Sequence, residues 1–493
     1  MLTIRLAVDP DGYAALALPV RPAEPTGDGP AAELLRTASR LPDELTAEAT
    51  VLLDELDHTG AAGAGQLTVR PSRTPGRLVL IGVGAGDEAG WRAAGAALAR
   101  TGRRERSITL ALPADLDPTA VRGLAEGLWL ASYRFRLPGV EPAGDDRPTL
   151  DEVVLAVADV DRYAAALATA RVTAEATRFA RDLTNTPSSV KNPAWFAGQV
   201  SSAAADRPGV RVEVREPDRL AAEGFGGILA VGGASVSGPR LLELEWAPAG
   251  ATRHVVLVGK GITFDTGGLS IKPREGMKLM RKDMGGAAAV VAATLAAARL
   301  ELPVRITALA PLAENAIGAS AFRPGDVIRH YGGLTSESTN SDAEGRLVLA
   351  DALAYAVDRL APDLLVDLAT LTGANAVALG KRTGALYSDN DELAGAVLAA
   401  ADEAGERAWR MPLVADYVEY LGSDLADLYS APDPAKSVTS ALYLREFTGQ
   451  LRDRWLHIDM SAPSWAERDE VELVKGATGW GVRTLLRWLA TLG

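Results

Sequence analysis

The chain has 493 residues, of which 47% are hydrophobic and 23% charged, and its net charge is −13. These values are typical of a globular protein with two domains, and the acidic balance argues against nucleic-acid binding, which depends on clustered Lys and Arg. The absence of cysteine excludes disulfides, thiolate nucleophiles and thiolate metal sites.

The sequence has few histidines and shows no pattern of a signal peptide or a membrane span. The four histidines lie singly at positions 58, 254, 330 and 457, so a zinc motif of paired histidines is absent and any metal must be held mainly by carboxylates. The first 20 residues lack the basic start and apolar core of a signal peptide, and the longest nearly apolar run, Gly285–Ala298, is too short to span a bilayer. We therefore expect a soluble, cytoplasmic protein without membrane contact.

The first 160 residues alternate strand-like and helix-like segments. Runs rich in Val, Ile and Leu predict strands at Leu2–Val8, Gln66–Val69, Arg77–Val83, Ser107–Leu112 and Glu152–Val157. The spacing of apolar residues predicts helices at Trp91–Arg100 and Pro118–Phe135, and Pro138–Pro148 is predicted to be a loop. This rhythm predicts a small N-terminal α/β domain over residues 1–160.

A long alanine-rich helix follows at Asp161–Leu183. It must end before NTPSSVKNP at 185–193, because the two prolines of that segment forbid helical continuation. We interpret residues 161–192 as a connecting helix and loop.

Strand and helix signals resume from Pro193. The predicted strands are Val210–Val214, Gly227–Val231, Arg240–Glu245, His254–Val258, Val304–Leu309 and Leu364–Leu368, and the predicted helices are Met284–Leu300, Gly345–Leu360 and Gly479–Leu492. They indicate one larger α/β catalytic domain over residues 193–493, with a mostly parallel mixed sheet flanked by helices. Ligands bind beyond the carboxyl ends of such strands, where Lys260, Asp265 and the segment 369–373 lie.

Four acidic residues stand at strand ends or helix starts in this domain. Asp265 lies in a glycine-rich turn, Asp283 precedes a Gly-Gly pair, and Asp342 and Glu344 flank an alanine in NSDAEGRL. One such residue alone would be read as a helix cap or a surface charge. Several carboxylates in one cleft repel each other unless a cation lies between them, so the set predicts a shared divalent cation.

Lysine is rare and concentrated near the same residues. Of the 51 basic residues only eight are lysines, and half of these lie between 260 and 282. A desolvated lysine can lose its proton and become a nitrogen ligand, which arginine cannot do. We therefore interpret Lys260 as a metal ligand in its neutral form; the alternative is a lysine that is simply paired with Asp265.

Several long motifs resemble the leucyl aminopeptidase family of cytosolic two-metal exopeptidases. They are GKGITFDTGGLSIKP at 259–273, KDMGGAAAV at 282–290, NSDAEGRL at 340–347, NTPSSVKNP at 185–193, FRPGDV at 322–327, DLATLTGA at 367–374 and ATGWGVR at 477–483. The similarity covers most of residues 185–490. The N-terminal part resembles the family only in length and in its α/β rhythm.

The resemblance implies two adjacent divalent ions, Mn²⁺ or Zn²⁺. One would be bound by Asp265, Asp342 and Glu344, with help from the Asp342 backbone carbonyl. The other would be bound by Lys260, Asp265, Asp283 and Glu344. A hydroxide held between such ions is the nucleophile of this enzyme class, and one ion would take the free amine of the substrate.

The resemblance also implies roles for two cations and for a substrate pocket. Lys272 would stay charged and stabilise the oxyanion, and Arg346 would bind bicarbonate, which acts as the general base. The pocket for the first side chain would be lined by Met280, Thr370, Leu371, Gly373 and the region 459–462. Two positions depart from the family pattern: Ser341 stands where Thr is usual, and Asp459-Met460-Ser461-Ala462 replaces Asp-apolar-Ala-Gly, which leaves the side-chain preference open.

These observations predict a metal-dependent aminopeptidase that releases leucine-like and other N-terminal residues from peptide substrates, in a homohexamer of two stacked trimers as the resemblance implies. One alternative is a DNA-binding or regulatory protein that keeps the fold without catalysis. The acidic balance and the intact set of seven site residues count against it. Another alternative is a different two-metal hydrolase, such as a dipeptidase or an enzyme dedicated to a biosynthetic peptide.

Overall fold

The structure is a computed structural model that describes residues 1–8, 12–24, 31–39, 41–137, 139–140, 149–205 and 207–493. The predicted loop at Pro138–Pro148 therefore lies mostly outside the described residues. The chain divides into two compact units. The first unit comprises Met1–Glu175 and Glu467–Lys475, and the second comprises Ala176–Ala466 and Gly476–Gly493.

The first unit is an α/β sheet with helices. Within its described residues the strands are β1 Thr3–Ala7, β2 Ala15–Pro22, β3 Ala32–Leu34, β4 Gly65–Val69, β5 Arg77–Gly82, β6 Ser107–Ala111 and β7 Glu152–Ala156. The helices are α1 Asp43–Glu55, α2 Glu88–Thr101, α3 Pro118–Ala131 and α4 Val160–Asn185, of which α4 ends in the second unit. The sheet has the order β1-β7-β6-β2-β5-β4, with β3 paired to β2, and only the β4 and β3 pairings are antiparallel among the described strands.

Alternation along β5 shows how this sheet is buried on both faces. Val79 and Ile81 enter the core that contains Trp91 of α2, whereas Leu78 and Leu80 enter a second core with Leu45 of α1. Successive side chains of a strand point to opposite faces, so an unbroken apolar run such as RLVLIG is what two covered faces require. The five strands and two helices predicted for this region are confirmed, while β2, β3 and α1 were not predicted.

The second unit is larger. Its described strands are β8 Val210–Arg215, β9 Arg240–Trp246, β10 His254–Gly259, β11 Gly261–Asp265, β12 Arg305–Asn315, β13 Val327–Arg329, β14 Thr335–Glu337, β15 Leu364–Ala369, β16 Gly384–Tyr387, β17 Ala408–Arg410, β18 Leu428–Tyr429, β19 Trp455–Asp459, β20 Trp465–Ala466 and β21 Gly476–Ala477. Its described α-helices are α5 Pro193–Ala204, α6 Pro217–Glu223, α7 Gly226–Gly232, α8 Arg274–Met277, α9 Gly285–Arg299, α10 Glu344–Tyr355, α11 Ala374–Leu379, α12 Asp391–Ala404, α13 Lys436–Arg445 and α14 Val482–Ala490. Short 3₁₀ segments lie at Met280–Lys282, Ala415–Leu421 and Glu446–Arg454, and α10 continues as a π-helix over Ala356–Leu360.

The main sheet of the second unit has the order β17-β16-β19-β15-β10-β12-β9-β8, and β11 extends it by pairing with β12. The central pairs β12/β10, β10/β15 and β15/β19 are parallel, and antiparallel pairs lie toward both edges. The predicted fold class, a mostly parallel mixed sheet flanked by helices, is confirmed. β20 and β21 form a two-residue antiparallel ladder that pairs Ala466 with Gly476, the residues at which the chain leaves and re-enters this unit.

The predicted strand at Gly227–Val231 is wrong, because the segment forms helix α7. A short apolar run cannot be assigned to strand or helix by periodicity alone. The deciding contact is distant in sequence: Ile228 N donates to the buried carboxylate of Asp351 at 2.9 Å, which satisfies an amide at the start of the helix. Among the described residues no helix is both long and apolar enough to cross a membrane.

Candidate metal centre

Four carboxylates and two lysines converge beyond the carboxyl ends of the central strands. Lys260 directly follows β10 and Asp265 ends β11, while Asp283 precedes α9 and Glu344 begins α10. Glycine makes this convergence possible. A Cβ at position 286 would lie 2.1 Å from the Leu368 carbonyl oxygen, so only glycine lets the start of α9 approach the sheet this closely.

Asp265, Asp342 and Glu344 form the tightest group of acids. One carboxylate oxygen from each lies within 4.8 Å of the other two. Asp265 and Glu344 are buried, and the Asp342 side chain is about one-third exposed. This arrangement gives three oxygen donors at the spacing that a divalent cation needs.

Lys260 lies on the other side of Glu344. Its Nζ is 2.8 Å from Asp283 Oδ2 and 2.9 Å from Glu344 Oε1, and it donates to the Thr370 carbonyl at 3.2 Å. Among the described residues, the lysine is thus ion-paired with Asp283 and Glu344 and not with Asp265. Room for its side chain comes from Gly345, where a Cβ would lie 2.3 Å from Lys260 Cε.

Lys272 occupies the opposite end of the cluster. Its Nζ is 2.7 Å from Asp265 Oδ2 and also contacts Asp342 Oδ1. The other oxygen of Asp265 accepts hydrogen bonds from Gly267 N and Asn315 Nδ2, each at 2.8 Å. Asn315 was not predicted as a site residue; it is the last residue of β12, and nothing near it in sequence indicates the contact.

The pKa values of the cluster are shifted by burial and by the close approach of like charges. Burial raises the pKa of Asp265 to about 7, and the neighbouring Glu344 adds to the rise. Burial also raises the pKa of Asp283 and of Glu344. For Lys260 burial acts in the opposite direction, but Asp283 and Glu344 outweigh it and its pKa rises. Four carboxylates therefore share two ammonium groups, which leaves negative charge uncompensated.

Unsatisfied oxygens show that the donor set fits a divalent cation. Glu344 Oε2 accepts no hydrogen bond from the residues that the structure describes, and Glu344 Oε1, Asp283 Oδ2 and Asp342 Oδ1 are ion-paired with lysine but otherwise accept none. A buried polar atom without a partner costs about 1–3 kcal/mol. Carboxylate oxygens together with one amine are ligands that Mn²⁺ and Zn²⁺ accept.

Arg346 lies in the first turn of α10 and is buried. Its Nη1 donates to the Ser430 carbonyl at 2.6 Å, whereas its Nε has no hydrogen-bond partner among the described residues. Burial lowers the pKa of this guanidinium. A buried guanidinium with an unused donor is suited to a small planar anion.

The predicted pocket residues lie on two segments next to the acids. Met280 opens the short 3₁₀ segment before Asp283, and Thr370, Leu371 and Gly373 follow β15. The Thr370 hydroxyl donates to Asp283 Oδ1 at 2.7 Å, so it orients a carboxylate of the cluster.

The segment after β15 is held by Asp459, whose hub role was not predicted. Its buried carboxylate accepts from the amides of Leu371, Thr372 and Ser461 and from the Asn375 side chain. The sequence placed Asp459 near the pocket but gave no sign of the bonds to Leu371, Thr372 and Asn375, because these partners lie more than 80 residues away along the chain.

His330 takes part in a buried arrangement that superficially resembles a hydrolytic triad. Its Nδ1 is 3.0 Å from Asp351 Oδ1 and its Nε2 is 3.0 Å from Ser336 Oγ, which lies 2.6 Å from the Tyr443 hydroxyl. Ser336 has no exposed surface, so no substrate can reach it. We interpret this network as structural.

A cluster of buried acids and lysines at the carboxyl ends of a mostly parallel sheet is the site of an α/β metal-dependent hydrolase. Family models confirm this class and give the family. The cytosol aminopeptidase family matches with its catalytic domain over residues 178–486 and with its N-terminal domain over residues 30–137. The chain belongs to the cytosol aminopeptidase family, and it is a peptidase of the hydrolase class; membership implies metal-dependent aminopeptidase activity.

Relatives and solved structures agree with this assignment. A protein of Micrococcus luteus named "Probable cytosol aminopeptidase" is 44% identical in an alignment that covers 93% of each chain. One of the same name from Geobacter sulfurreducens is 39% identical over 96% of this chain and 90% of its own length. Bottromycin maturation enzyme BotP in complex with Mn superposes with a TM-score of 0.81 at 37% identity, covering 92% of this chain and 97% of its own. A tomato leucine aminopeptidase mutant superposes with a TM-score of 0.85 at 28% identity, covering 100% of this chain and 97% of its own.

Proposed function

We propose that this protein is a two-metal aminopeptidase that removes single residues from the free N-terminus of peptides. The observation that carries the proposal is the buried acidic cluster around Glu344, whose Oε2 has no hydrogen-bond donor among the described residues. Family membership supplies the reaction class. The uncompensated negative charge of these acids is the physical reason for a bound metal ion.

The two ions would share ligands. Asp265, Asp342 and Glu344, with the Asp342 backbone carbonyl, would hold one ion, consistent with their mutual approach within 4.8 Å. Lys260, Asp265, Asp283 and Glu344 would hold the other, and the short distances from Lys260 Nζ to Asp283 and Glu344 support that set. Because Lys260 is paired as an ammonium, it must release a proton before it can act as a ligand.

When bound, the pair of ions would supply Lewis-acid activation of water and of the scissile carbonyl, and a coordination position for the free substrate amine. The residues of the chain do the rest. Lys272 stays charged, because Asp265 and Glu344 raise its pKa against the effect of burial, and it stabilises the developing oxyanion. Arg346 would hold bicarbonate as a general base through the guanidinium donors not used by Ser430.

Hydrolysis of leucine amide by metal-loaded protein tests this function. Chelation should abolish turnover and added Mn²⁺ should restore it. N-acetyl-leucine amide is the matched control, since it differs only at the amine and should not be cleaved. Turnover of the acetylated substrate at a comparable rate would contradict an aminopeptidase.

The bicarbonate role has its own test. Degassed wild-type enzyme should be stimulated by added bicarbonate, and Arg346→Ala should be slower and indifferent to it, with unchanged metal content. Arg346→Lys is the matched control, because it keeps a positive charge but loses the planar fork. A full bicarbonate response in Arg346→Ala would place the anion elsewhere.

A second candidate is maturation of one particular peptide. The likeness to bottromycin maturation enzyme BotP, 37% identical, favours it. A panel of dipeptides and longer peptides with varied first residues separates the two. Broad cleavage supports a general aminopeptidase, whereas a single preferred residue together with a need for a long peptide supports a dedicated enzyme.

We also propose a cytoplasmic homohexamer, an inference that rests on the family resemblance and on the names of relatives such as the Micrococcus luteus protein. Size-exclusion chromatography with multi-angle light scattering of the purified protein tests the assembly. A monomer at micromolar concentration would contradict it.

A further inference from the structure

The turn that carries Asp283 is short and is held mainly by contacts with other parts of the chain. It lies between the 3₁₀ segment Met280–Lys282 and helix α9. Asp283 N donates to the Met280 carbonyl at 3.1 Å, and the Asp283 side chain is oriented by Thr370. A metal ligand on so short a turn needs a rigid support from elsewhere in the fold.

Lys191 provides contacts on both sides of Asp283. Its Nζ donates to the Arg281 carbonyl at 2.5 Å and lies 3.2 Å from Met284 Sδ, so it contacts the second residue before Asp283 and the first residue after it. The same Nζ donates to the Thr184 carbonyl at 3.0 Å. That carbonyl belongs to the last turn of α4, where helix carbonyls lack intrahelical partners and a lysine is favourable.

The backbone of Lys191 is itself fixed. Lys191 N donates to the Pro187 carbonyl at 2.9 Å, and the next residue, Asn192, caps α5 by accepting from Trp195 N at 2.8 Å. The residue is only 1% exposed. The lysine therefore connects the end of α4, the start of α5 and the turn of Asp283.

We propose that Lys191 is a positioning residue that holds the turn of Asp283 in the geometry needed for metal binding. The inference rests on the proposed function, in which Asp283 is a ligand. The role also explains why this position is lysine in an arginine-rich chain. The Thr184 carbonyl, the Arg281 carbonyl and Met284 Sδ all lie around one point, where a single nitrogen can donate to them and a planar guanidinium cannot.

The protonation state of Lys191 does not decide this role. Burial lowers its pKa, and nearby Arg281 lowers it further. An ammonium has three N–H donors and a neutral amine has two, so in either state both carbonyls can be satisfied. Lys282 fixes the same turn from another direction, since its Nζ donates to the Ser461 carbonyl at 2.8 Å.

The test is Lys191→Met, which keeps an unbranched side chain but removes every N–H. Manganese binding to metal-free protein is measured by calorimetry and by electron paramagnetic resonance. We expect one of the two ions to bind roughly 10–100-fold more weakly, the loss typical of removing a residue that supports a ligand. Hydrogen exchange of residues 280–284 in the metal-free protein should become faster. Val397→Ala, which opens a cavity under α12, is the control for general destabilisation and should leave both quantities unchanged.

The outcomes separate the inference from the proposed function. Wild-type protein that binds fewer than two Mn²⁺ ions contradicts the proposed function. If wild type binds two Mn²⁺ ions and Lys191→Met has the same affinities and the same hydrogen exchange, the positioning role of Lys191 is overturned and the proposed function is unaffected. If Lys191→Met does not fold, Lys191→Gln serves, because its amide keeps two N–H groups on a side chain one bond shorter. Its affinity should fall between those of wild type and the 10–100-fold loss, and a wild-type affinity with wild-type exchange would overturn the inference.

Discussion

Two buried polar clusters of the second unit differ in how well they are satisfied. In the network of His330, Asp351, Ser336 and Tyr443, both imidazole nitrogens have partners, and Asp351 accepts from Ile228 N, Tyr331 N and His330. In the cluster around Glu344, the Oε2 atom of Glu344 accepts no hydrogen bond within the described part of the chain, and three further carboxylate oxygens have only a lysine ammonium as partner. Both contain acids and bases at hydrogen-bonding distance, but only the second is left with unmet charge. The first network is therefore satisfied within the fold, whereas the second has acceptor capacity that a bound cation would satisfy.

The largest effect should follow from Lys260→Arg. A guanidinium cannot coordinate a metal, and the space beside Gly345 is already filled by the lysine. The variant should bind fewer Mn²⁺ ions and lose detectable leucine amidase activity, as shown by metal analysis and rate measurement. Lys436→Arg makes the same chemical change at an exposed residue and should behave as wild type. Full metal content in Lys260→Arg would contradict the ligand role.

Lys272→Ala should give the next largest effect. Removing one oxyanion partner lowers kcat by roughly 10²–10³-fold, while metal content stays at the wild-type value. The pair Lys260→Arg and Lys272→Ala thus divides the cluster into a ligand and a catalytic cation. Equal metal loss in both variants would show that the two lysines have the same role.

The affinity for Mn²⁺ should increase with pH. The pKa of Asp265 is raised to about 7, so its carboxyl is partly protonated near neutrality and must ionise to bind the ion. Lys260 must also release a proton. Each proton released makes binding roughly tenfold tighter per pH unit in the range where the group is protonated. Calorimetry in buffers of different ionisation enthalpy counts the protons, and binding without proton release would contradict this account.

The smallest effect on activity is expected at the satisfied network. Asp351→Asn loses one carboxylate acceptor, so the free energy of unfolding should decrease by about 1–3 kcal/mol. Leucine amidase activity at a temperature well below the transition should stay within about twofold of wild type, since Asp351 contacts none of the proposed ligands. Denaturant unfolding and rates on the same sample measure both. A large loss of activity in a stable variant would contradict this prediction and show that the network of His330 and Asp351 contributes to catalysis.

The two clusters also show what the sequence could predict. Asp265, Asp283 and Glu344 were found because each stands at a strand end or a helix start beside glycine, and fold rules place such positions together. The partner of Lys260 could not be chosen in the same way: Asp265 is nearest in sequence, but packing brings Asp283 and Glu344 to the amine. Asn315 contacts Asp265, 50 residues away, and Asp459 contacts Thr372, 87 residues away, and no local pattern marks these contacts.

The wrong strand assignment at Gly227–Val231 has the same cause. β5 and α9 carry their own apolar patterns and were predicted closely. Gly227–Val231 is apolar in either conformation, and Asp351, 123 residues from Ile228, contributes the hydrogen bond that favours the helix. Local propensity thus determines the conformation of a segment whose own apolar pattern favours one structure. Tertiary contacts determine it where the pattern fits both helix and strand.

The short ladder of β20 and β21 has a consequence for how this chain can change over evolutionary time. Ala466 and Gly476 are paired in the ladder, so the nine residues between them form an excursion from the second unit whose two ends are adjacent. Insertion or deletion within such an excursion does not change the register of the strands that close it. A change of length within Glu467–Lys475 would therefore leave the spacing of the segments that carry the proposed ligands unaltered and would act on contacts within the first unit, such as the hydrogen bond from Arg100 Nη2 to the Leu473 carbonyl.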